Sequence, residues 1–316
     1  DEASMVDLPL MAKLCSALRE KTKLILVGDA DQLAPVQGGA VFNGLVRSSA
    51  SNRFCATDLS MLSGYSEVGE EAQGEDFLAG SLVSLSLSHR RAGSPSGSVL
   101  GDLCDAVRDG KGEDALQVLK EGGDSVALIE SLEDSSLQKI IQDGFTAMAE
   151  ATDPSSALDS LASFRILCAH NEGAYGVESW NHTAKELFPV SDDRPLPIVV
   201  GSNDYSVRLF NGDDGIILGA RAHFSGEEGL REVPRSRLPS HSLAYAISIH
   251  RSQGSEYKRV LIILPPKESK LLTRELLYVA ASRAKEAITF VGSSESLLAA
   301  IANEDDSRTG VTALLE

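Results

Sequence analysis

Short apolar runs with no polar alternation limit this chain to few architectures. They are KLILVGD (23–29), FRILCAH (164–170), SLAYAISIH (242–250), KRVLIILP (258–265) and the end of ELLYVAASRAKEAITFVG (275–292). A strand that is apolar at every position must be covered on both faces, which is the situation in a parallel sheet flanked by helices. Helical patterns stand between the runs, as in GVESWNHTAKELF (176–188) and SESLLAAIANE (294–304). Residues 94–160 read as mostly helical with Gly and Ser breaks. The fold class that follows is α/β with a mainly parallel sheet.

Two stretches leave this rhythm. Residues 48–80 are rich in Ser, Gly and Glu and read as a long, mobile excursion. Residues 202–241 hold short alternating strands broken by NGDDG, SGEEG and Pro, the profile of a small β module inserted into an α/β domain. The length of 316 residues accommodates two domains that each bury a core. The expected organisation is a first domain over 1–86, a second over 87–201 and 242–316, and the insert over 202–241.

Composition narrows the partners. The net charge is −17, from 46 acidic and 29 basic residues, which argues against coating nucleic acid by bulk electrostatics and leaves room for a narrow groove of local positive charge. The four cysteines, Cys15, Cys55, Cys104 and Cys168, form no CxxC pair or Cys/His cluster and read as reduced, mostly buried thiols of a cytoplasmic protein. His170, His182, His223 and His241 lack metal-ligand spacing and read as structural. No apolar run approaches the roughly 18 residues of a membrane span.

Several polar groups stand where phosphate chemistry could use them. Asp1-Glu2 precedes small and apolar residues. Nucleotide hydrolysis needs one carboxylate near Mg²⁺ and a second to polarise the attacking water, and adjacent carboxylates supply both. In LVGDADQLAPV an apolar run delivers Gly28-Asp29 and then Gln32, whose amide can report on a γ-phosphate or its water. An ordinary strand-to-loop turn is the alternative for Gly28-Asp29. The loop in YAISIHRSQGSEY packs His250, Arg251, Ser252, Gln253, Gly254, Ser255 and Glu256 between two apolar runs. Such donors suit phosphate and sugar contacts at the carboxyl ends of parallel strands. Arg283 follows Tyr278 on a helical pattern and could serve as an arginine finger across a domain cleft, or pair with Glu286 on a surface. Arg90 and Arg91 follow another strand-like run, and either could reach a phosphate. Asn203, Asp204 and Tyr205 fit a turn, Tyr205 or Phe210 could stack on a base, and core packing is the alternative for Phe210.

In this order and spacing the segments resemble superfamily 1 DNA helicases, most closely the RecD family, the alpha chain of exodeoxyribonuclease V in the RecBCD complex. Walker B resembles Asp1 to Met5, motif III Gly28 to Leu33, motif IV the stretch around Arg90, motif V His250 to Glu256, and motif VI Tyr278 to Lys285. Family-like signatures lie between them in GGAVF, LCAHNEGAYGVESWN, NDYSVRLFNGDDG, SRLPSH and RTGVTALLE.

The resemblance implies RecA-like P-loop NTPase motor domains with a parallel sheet, helices on both faces and a small SH3-like β insert. It implies a hydrolase: an ATP-dependent, 5′-to-3′ DNA helicase subunit acting in recombination and DNA repair, with ATP and Mg²⁺ as cofactors. Single-stranded DNA and RecB- and RecC-like subunits are the implied partners. By position, Glu2 would activate water and Asp1 would hold Mg²⁺, while Gln32, Arg90 and Arg283 would read the γ-phosphate. Asp1, Gly28, Asp29, Gly254 and Glu256 fall in the nucleotide-binding set. Asn203, Tyr205, Phe210, His250, Arg251, Ser252 and Gln253 fall in the DNA-binding set.

The sequence departs from the family pattern at Ser202, at His89-Arg90-Arg91 and at Ser282, and it holds no GxxxxGK[ST] phosphate loop. The expectation is a C-terminal portion starting at Walker B that turns over ATP only with the missing upstream half. Two other readings are a stand-alone RecD-like or relaxase-type helicase and a non-catalytic DNA-binding or subunit-docking module.

Overall fold

The computed structural model describes residues 1–33, 35, 38–48, 51–62, 64, 69–71, 78–85, 95–226 and 229–304. The chain divides into two compact units between residues 89 and 90.

The first unit begins with a 3₁₀ turn over Ala3–Met5 and helix α1 (Leu8–Ala17). The Asp7 carboxylate caps α1 by accepting the Leu10 N–H at 2.8 Å, and Pro9 sits in the first turn, where its missing N–H costs nothing. Helix α2 (Val41–Arg47), strand β1 (Arg53–Phe54), helix α3 (Ala56–Leu62) and strand β2 (Glu70–Glu71) follow, with β1 and β2 paired in parallel. The stretch 48–80, read as a long excursion, thus holds short elements among its described residues.

Residues 23–28 also depart from expectation. They belong to no sheet among the described residues, and Leu24, Ile25 and Val27 are exposed, Ile25 at 79%. A strand of this composition needs a hydrogen-bonded neighbour on each edge. One backbone bond, Ala3 N–H to the Val27 carbonyl at 2.8 Å, ties the run to the start of the chain.

The second unit matches the α/β expectation. Helices α4 (Pro95–Arg108) and α5 (Gly112–Glu121) precede strand β3 (Val126–Ile129), which the mostly helical reading of 94–160 missed. Helices α6 (Ser136–Ala149) and α7 (Pro154–Leu161), strand β4 (Phe164–Cys168) and helix α8 (Val177–Leu187) come next. Strand β5 (Leu196–Val200) opens an antiparallel sheet with β6 (Asp214–Leu218), β7 (Arg221–Gly226), β8 (Gly229–Pro234) and β9 (His241–Leu243), in the order β8-β7-β6-β5-β9. Strand β10 (Ala246–Ser248), β11 (Tyr257–Ile263), helix α9 (Arg274–Ser282), β12 (Ala284–Val291) and helix α10 (Ser294–Ala302) complete the unit. The parallel sheet runs β10-β4-β11-β12-β3.

The run 242–250, expected as one strand, is split between the two sheets. The Ala244 N–H donates to the Pro197 carbonyl of β5, while the Tyr245 carbonyl accepts from Ile166 of β4. Neighbouring peptide groups thus serve different sheets, and the apolar side chains on either side suit both.

Helices α6, α7 and α8 meet Phe164, Ile166 and Cys168 of β4 in one core cluster, and Leu167 between them is fully buried as well. Phe145 centres this core, edge-on to Phe164 and Tyr245 with ring centroids 5.0 Å away in each case. Gly144 lets the ring of Phe164 approach the α6 backbone, since a Cβ there would run into it. Cys104 and Cys168 are buried, and burial pushes the Cys168 thiol far up; Cys15 and Cys55 are exposed, so two of the four thiols are buried where most were expected to be. Among the described residues no helix is long and apolar enough to cross a membrane.

Phe145→Ala should lower the unfolding free energy of the protein by about 3–5 kcal/mol, the usual cost of emptying an aromatic core position. Urea unfolding followed by far-UV circular dichroism measures it, and an unchanged midpoint would contradict this account of the core.

Candidate functional site

In the first unit the two sequence-predicted segments touch. A Cβ on Gly28 would lie 3.0 Å from the Ser4 nitrogen, 3.2 Å from the Ala3 nitrogen and 3.0 Å from the Phe42 ring, so glycine is what lets the Asp1–Ser4 segment lie against the end of the 23–28 run. Glu2 adopts a left-handed conformation, φ 55°, and its N–H donates to the Asp1 carboxylate at 2.9 Å. That conformation is costly for a side chain with a Cβ. Both carboxylates are exposed.

Asp29 organises the next turn. Its Oδ1 accepts the Asp31 N–H at 3.0 Å and its Oδ2 accepts the Gln32 Nε2 at 3.3 Å. The Gln32 amide is thereby aimed, and its Oε1 is buried with no hydrogen-bond donor among the described residues. Asn43, whose Nδ2 donates to the Ala30 carbonyl at 2.9 Å, leaves its Oδ1 in the same condition. Orphaned buried acceptors are uncommon and call for a donor such as water. Arg90, with its neighbours His89 and Arg91, lies outside the described residues.

In the second unit the polar loop 249–256 is a 3₁₀ turn over Ile249–Ser252, capped by the Ser248 hydroxyl, which accepts from the Arg251 N–H. The threefold period of such a turn puts positions i and i+3 on one side. Ile249 and Ser252 are accordingly buried, while His250 and Arg251 are exposed. Ser252 donates its hydroxyl to the Ile249 carbonyl at 2.7 Å and so holds the loop together from inside instead of joining its outer face. Gln253 is half-buried, and Gly254 takes φ +77°, which favours glycine. Glu256 pairs with Lys285 at 2.6 Å.

The loop leaves the carboxyl end of β10 but finishes at the amino end of β11. There the Tyr257 N–H donates to the Arg283 carbonyl at 2.9 Å. The end of the loop, Ser255 and Tyr257, therefore meets Arg283 at the amino ends of β11 and β12, while its start, Ile249–Ser252, follows the carboxyl end of β10 as expected. Arg283 is 5% exposed, which rules out the surface-pair alternative. It donates from Nε to the Val279 carbonyl at 3.1 Å, from one terminal nitrogen to the Ser255 carbonyl at 3.3 Å, and from the other to the Ser282 hydroxyl at 2.8 Å. Ser282, one of the departures from the family pattern, is thus a direct partner of the arginine.

The loop 203–213 is rigidly fastened. Asp204 and Leu209 exchange backbone bonds, Asn203 Oδ1 accepts the Asn211 N–H at 2.8 Å, and Asp213 Oδ2 accepts the Phe210 N–H at 2.9 Å. The hydroxyl and N–H of Ser206 hold the Asp204 carboxyl below its usual range. Leu209 occupies the core, and Phe210 is 43% exposed, so the core alternative for Phe210 is corrected. Tyr205, 76% exposed, meets Phe210 edge-on at 5.9 Å between ring centroids. Sequence reading passed over one residue, Arg165, the lone charge within the buried FRILC strand; that isolation was its signal.

Residues 243–291 match the UvrD-like helicase C-terminal domain and residues 1–55 the AAA domain family. The chain is similar to the RecBCD enzyme subunit RecD of Mycobacterium tuberculosis, 35% identical over 332 residues that cover 100% of this chain and 52% of that protein. It is also similar to the ATP-dependent RecD2 DNA helicase of Deinococcus radiodurans, 26% identical over 329 residues, covering 100% of this chain and 39% of that one. The crystal structure of the Pif1 helicase from Candida albicans aligns with a TM-score of 0.46 at 16% identity, over 95% of this chain and 72% of that chain. The chain spans about half the length of the curated RecD subunit it matches.

Gly28→Ala should force the Asp1–Ser4 segment away, at the cost of about 1–3 kcal/mol that overpacking usually carries. Amide exchange at Ala3, whose N–H bonds the Val27 carbonyl, should accelerate; unchanged protection would refute the close approach.

Proposed function

Because the chain belongs to the RecD family of superfamily 1 DNA helicases, we propose that it forms part of an ATP-dependent helicase subunit of a RecBCD-type exodeoxyribonuclease V. The subunit would move 5′-to-3′ along single-stranded DNA in recombinational repair, alongside RecB- and RecC-like chains. The observation that carries the reading is the clasp between loop 249–256 and Arg283, through the Tyr257 N–H and the Ser255 carbonyl. It makes a loop with outward His250 and Arg251 move together with an arginine suited to phosphoryl chemistry.

The residues of the first unit suit a magnesium nucleotide. Asp1 and Glu2 expose two carboxylates, oxygen acceptors of the kind a hydrated cation and its waters take. Asp1 would hold Mg²⁺, which when bound with ATP supplies charge neutralisation on the phosphates. Glu2 would take a proton from the attacking water, and Gln32, its Nε2 already committed to Asp29, would orient that water through Oε1. Gly28 and Asp29 shape the turn that aims Gln32, and in the second unit Gly254 and Glu256 shape the loop that meets Arg283. Arg283 would neutralise the charge that develops on a transferred phosphoryl group, once its guanidinium gives up the carbonyls it now binds.

For nucleic acid, Tyr205 and Phe210 offer two aromatic faces on a loop whose Asn203, Asp204 and Asp213 bonds remove the entropy of ordering it. His250, Arg251 and Gln253 would contact phosphate or sugar, and Ser252 would support them from within.

In the intact protein, Arg283→Ala should reduce DNA-stimulated ATP hydrolysis by about a thousandfold or more while single-stranded DNA binding persists, the usual effect of losing an arginine finger. Unaltered turnover would sink the assignment. Tyr205→Ala combined with Phe210→Ala should weaken binding of single-stranded DNA by about 1–3 kcal/mol per lost stack, with no change in folding. Fluorescence anisotropy at fixed salt checks this, and equal affinity would remove the loop from the interface. Failure to co-purify RecB- and RecC-like chains with an active motor would favour the stand-alone helicase.

A further inference from the structure

Arg165 lies in the second position of β4, an inner strand of the parallel sheet, and is 1% exposed. A charge there is expensive, and well-packed apolar residues commonly replace buried ion pairs at no loss of stability. Its contacts point to a use beyond stability, because each reaches a different part of the unit. One terminal nitrogen donates to Asp214 Oδ2 at 2.8 Å, at the start of β6 in the antiparallel sheet. The other donates to the Ala244 carbonyl at 2.6 Å, where the chain passes from β9 to β10. The guanidinium plane lies over the Tyr257 ring, 4.9 Å from its centroid. Tyr257 is the residue that ends the polar loop and holds the Arg283 carbonyl.

We propose that Arg165 is a positioning residue that couples the antiparallel sheet carrying Tyr205 and Phe210 to loop 249–256 and Arg283. The guanidinium is a single rigid plane, so the directions to Asp214, Ala244 and Tyr257 are fixed relative to one another. Asp214 is 30% exposed and sits on the sheet that bears the aromatic loop. If that sheet shifts, either Arg165 follows or its charge is left buried without a partner, which is strongly unfavourable. Following it displaces the ring of Tyr257, and with it the clasp on Arg283. Lysine could not reproduce this, since it lacks both the fork and the flat face.

The inference rests on the helicase reading, in which strand binding at the aromatic loop must reach the nucleotide chemistry. The intact protein is compared with Asp214→Asn, Arg165→Met and the double variant. The ratio of turnover with and without single-stranded DNA should fall by about fivefold or more in each single variant, the size of an ordinary coupling between sites. Basal turnover and DNA affinity should stay near wild type, and the double variant should be no worse than either single one. Amide exchange at Ser255 and Tyr257 should rise in both single variants.

Unchanged ratios, or losses that add, would overturn the coupling while leaving the helicase reading intact. A wild-type protein without DNA-stimulated turnover would overturn that reading instead, and the exchange data would still decide the structural link. Should Arg165→Met fail to fold, Asp214→Asn and Tyr257→Leu give the same comparison from partners of the guanidinium.

Discussion

The bond from the Tyr257 N–H to the Arg283 carbonyl sets the geometry on which the second unit's chemistry depends. It is the first rung between β11 and β12, whose pairing begins at Tyr257 and Ala284 and shifts register before Arg259. Beyond that rung Lys258, Arg259, Lys285 and Glu286 are still exposed, and the strands become largely buried and apolar from Val260 and Ile288 onward. Loop 249–256 stands just before the rung on one strand and Arg283 just before it on the other, and Lys285, just past it, pairs with Glu256 of the loop. The ladder's first bond thus joins the end of the loop to Arg283.

A sheet covered on both faces leaves little room for charge, so the exception at Arg165 is informative. Its neighbours in β4 supply the packing; Arg165 supplies direction. Two hydrogen bonds and one ring contact tie it to a strand of the other sheet, to the residue between the sheets, and to the end of the loop. These three contacts offset part of the desolvation cost, while Nε stays buried with no acceptor among the described residues, so losing any one of them leaves the charge less compensated still. The fully apolar alternative would pack as well and transmit nothing.

What the sequence disclosed follows from the same physics. The runs in β4, β11 and β12 were legible because a strand buried on both faces is apolar at every position, whatever its neighbours are. The run 23–28 has the same composition, but strand formation needs edge partners, and a run does not encode them. Residues 242–250 were read as one strand because apolar side chains do not say which of two sheets a backbone will join. Leu209 and Phe210 differ by one residue in register, and that register is decided by the Asp204–Leu209 bridge rather than by hydrophobicity. Ser252 looked like its polar neighbours until a threefold turn carried it inward. The motif residues were singled out because their order and spacing resemble those of superfamily 1 helicases. Which end of the sheet they occupy depends on the crossing of the loop from β10 to β11, and spacing alone does not record it.

The acidity and the proposed nucleic-acid contact can be reconciled by where the charge lies. Residues 202–241 carry six acidic residues (Asp204, Asp213, Asp214, Glu227, Glu228, Glu232) against five arginines, a contribution of 5 − 6 = −1 to the total of −17. Asp214 is paired with Arg165, and the carboxylates of Asp204 and Asp213 accept backbone N–H groups of the very loop that displays the aromatics. Around Tyr205 and Phe210, negative charge is thus structural, holding the turn in shape. Stacking of a base on an aromatic face draws on dispersion and desolvation, which a distant acidic surface does not oppose beyond a Debye length of about 8 Å at physiological salt. A chain that is acidic overall can therefore hold single strands by their bases, provided the loop that presents the rings is stiff before the strand arrives.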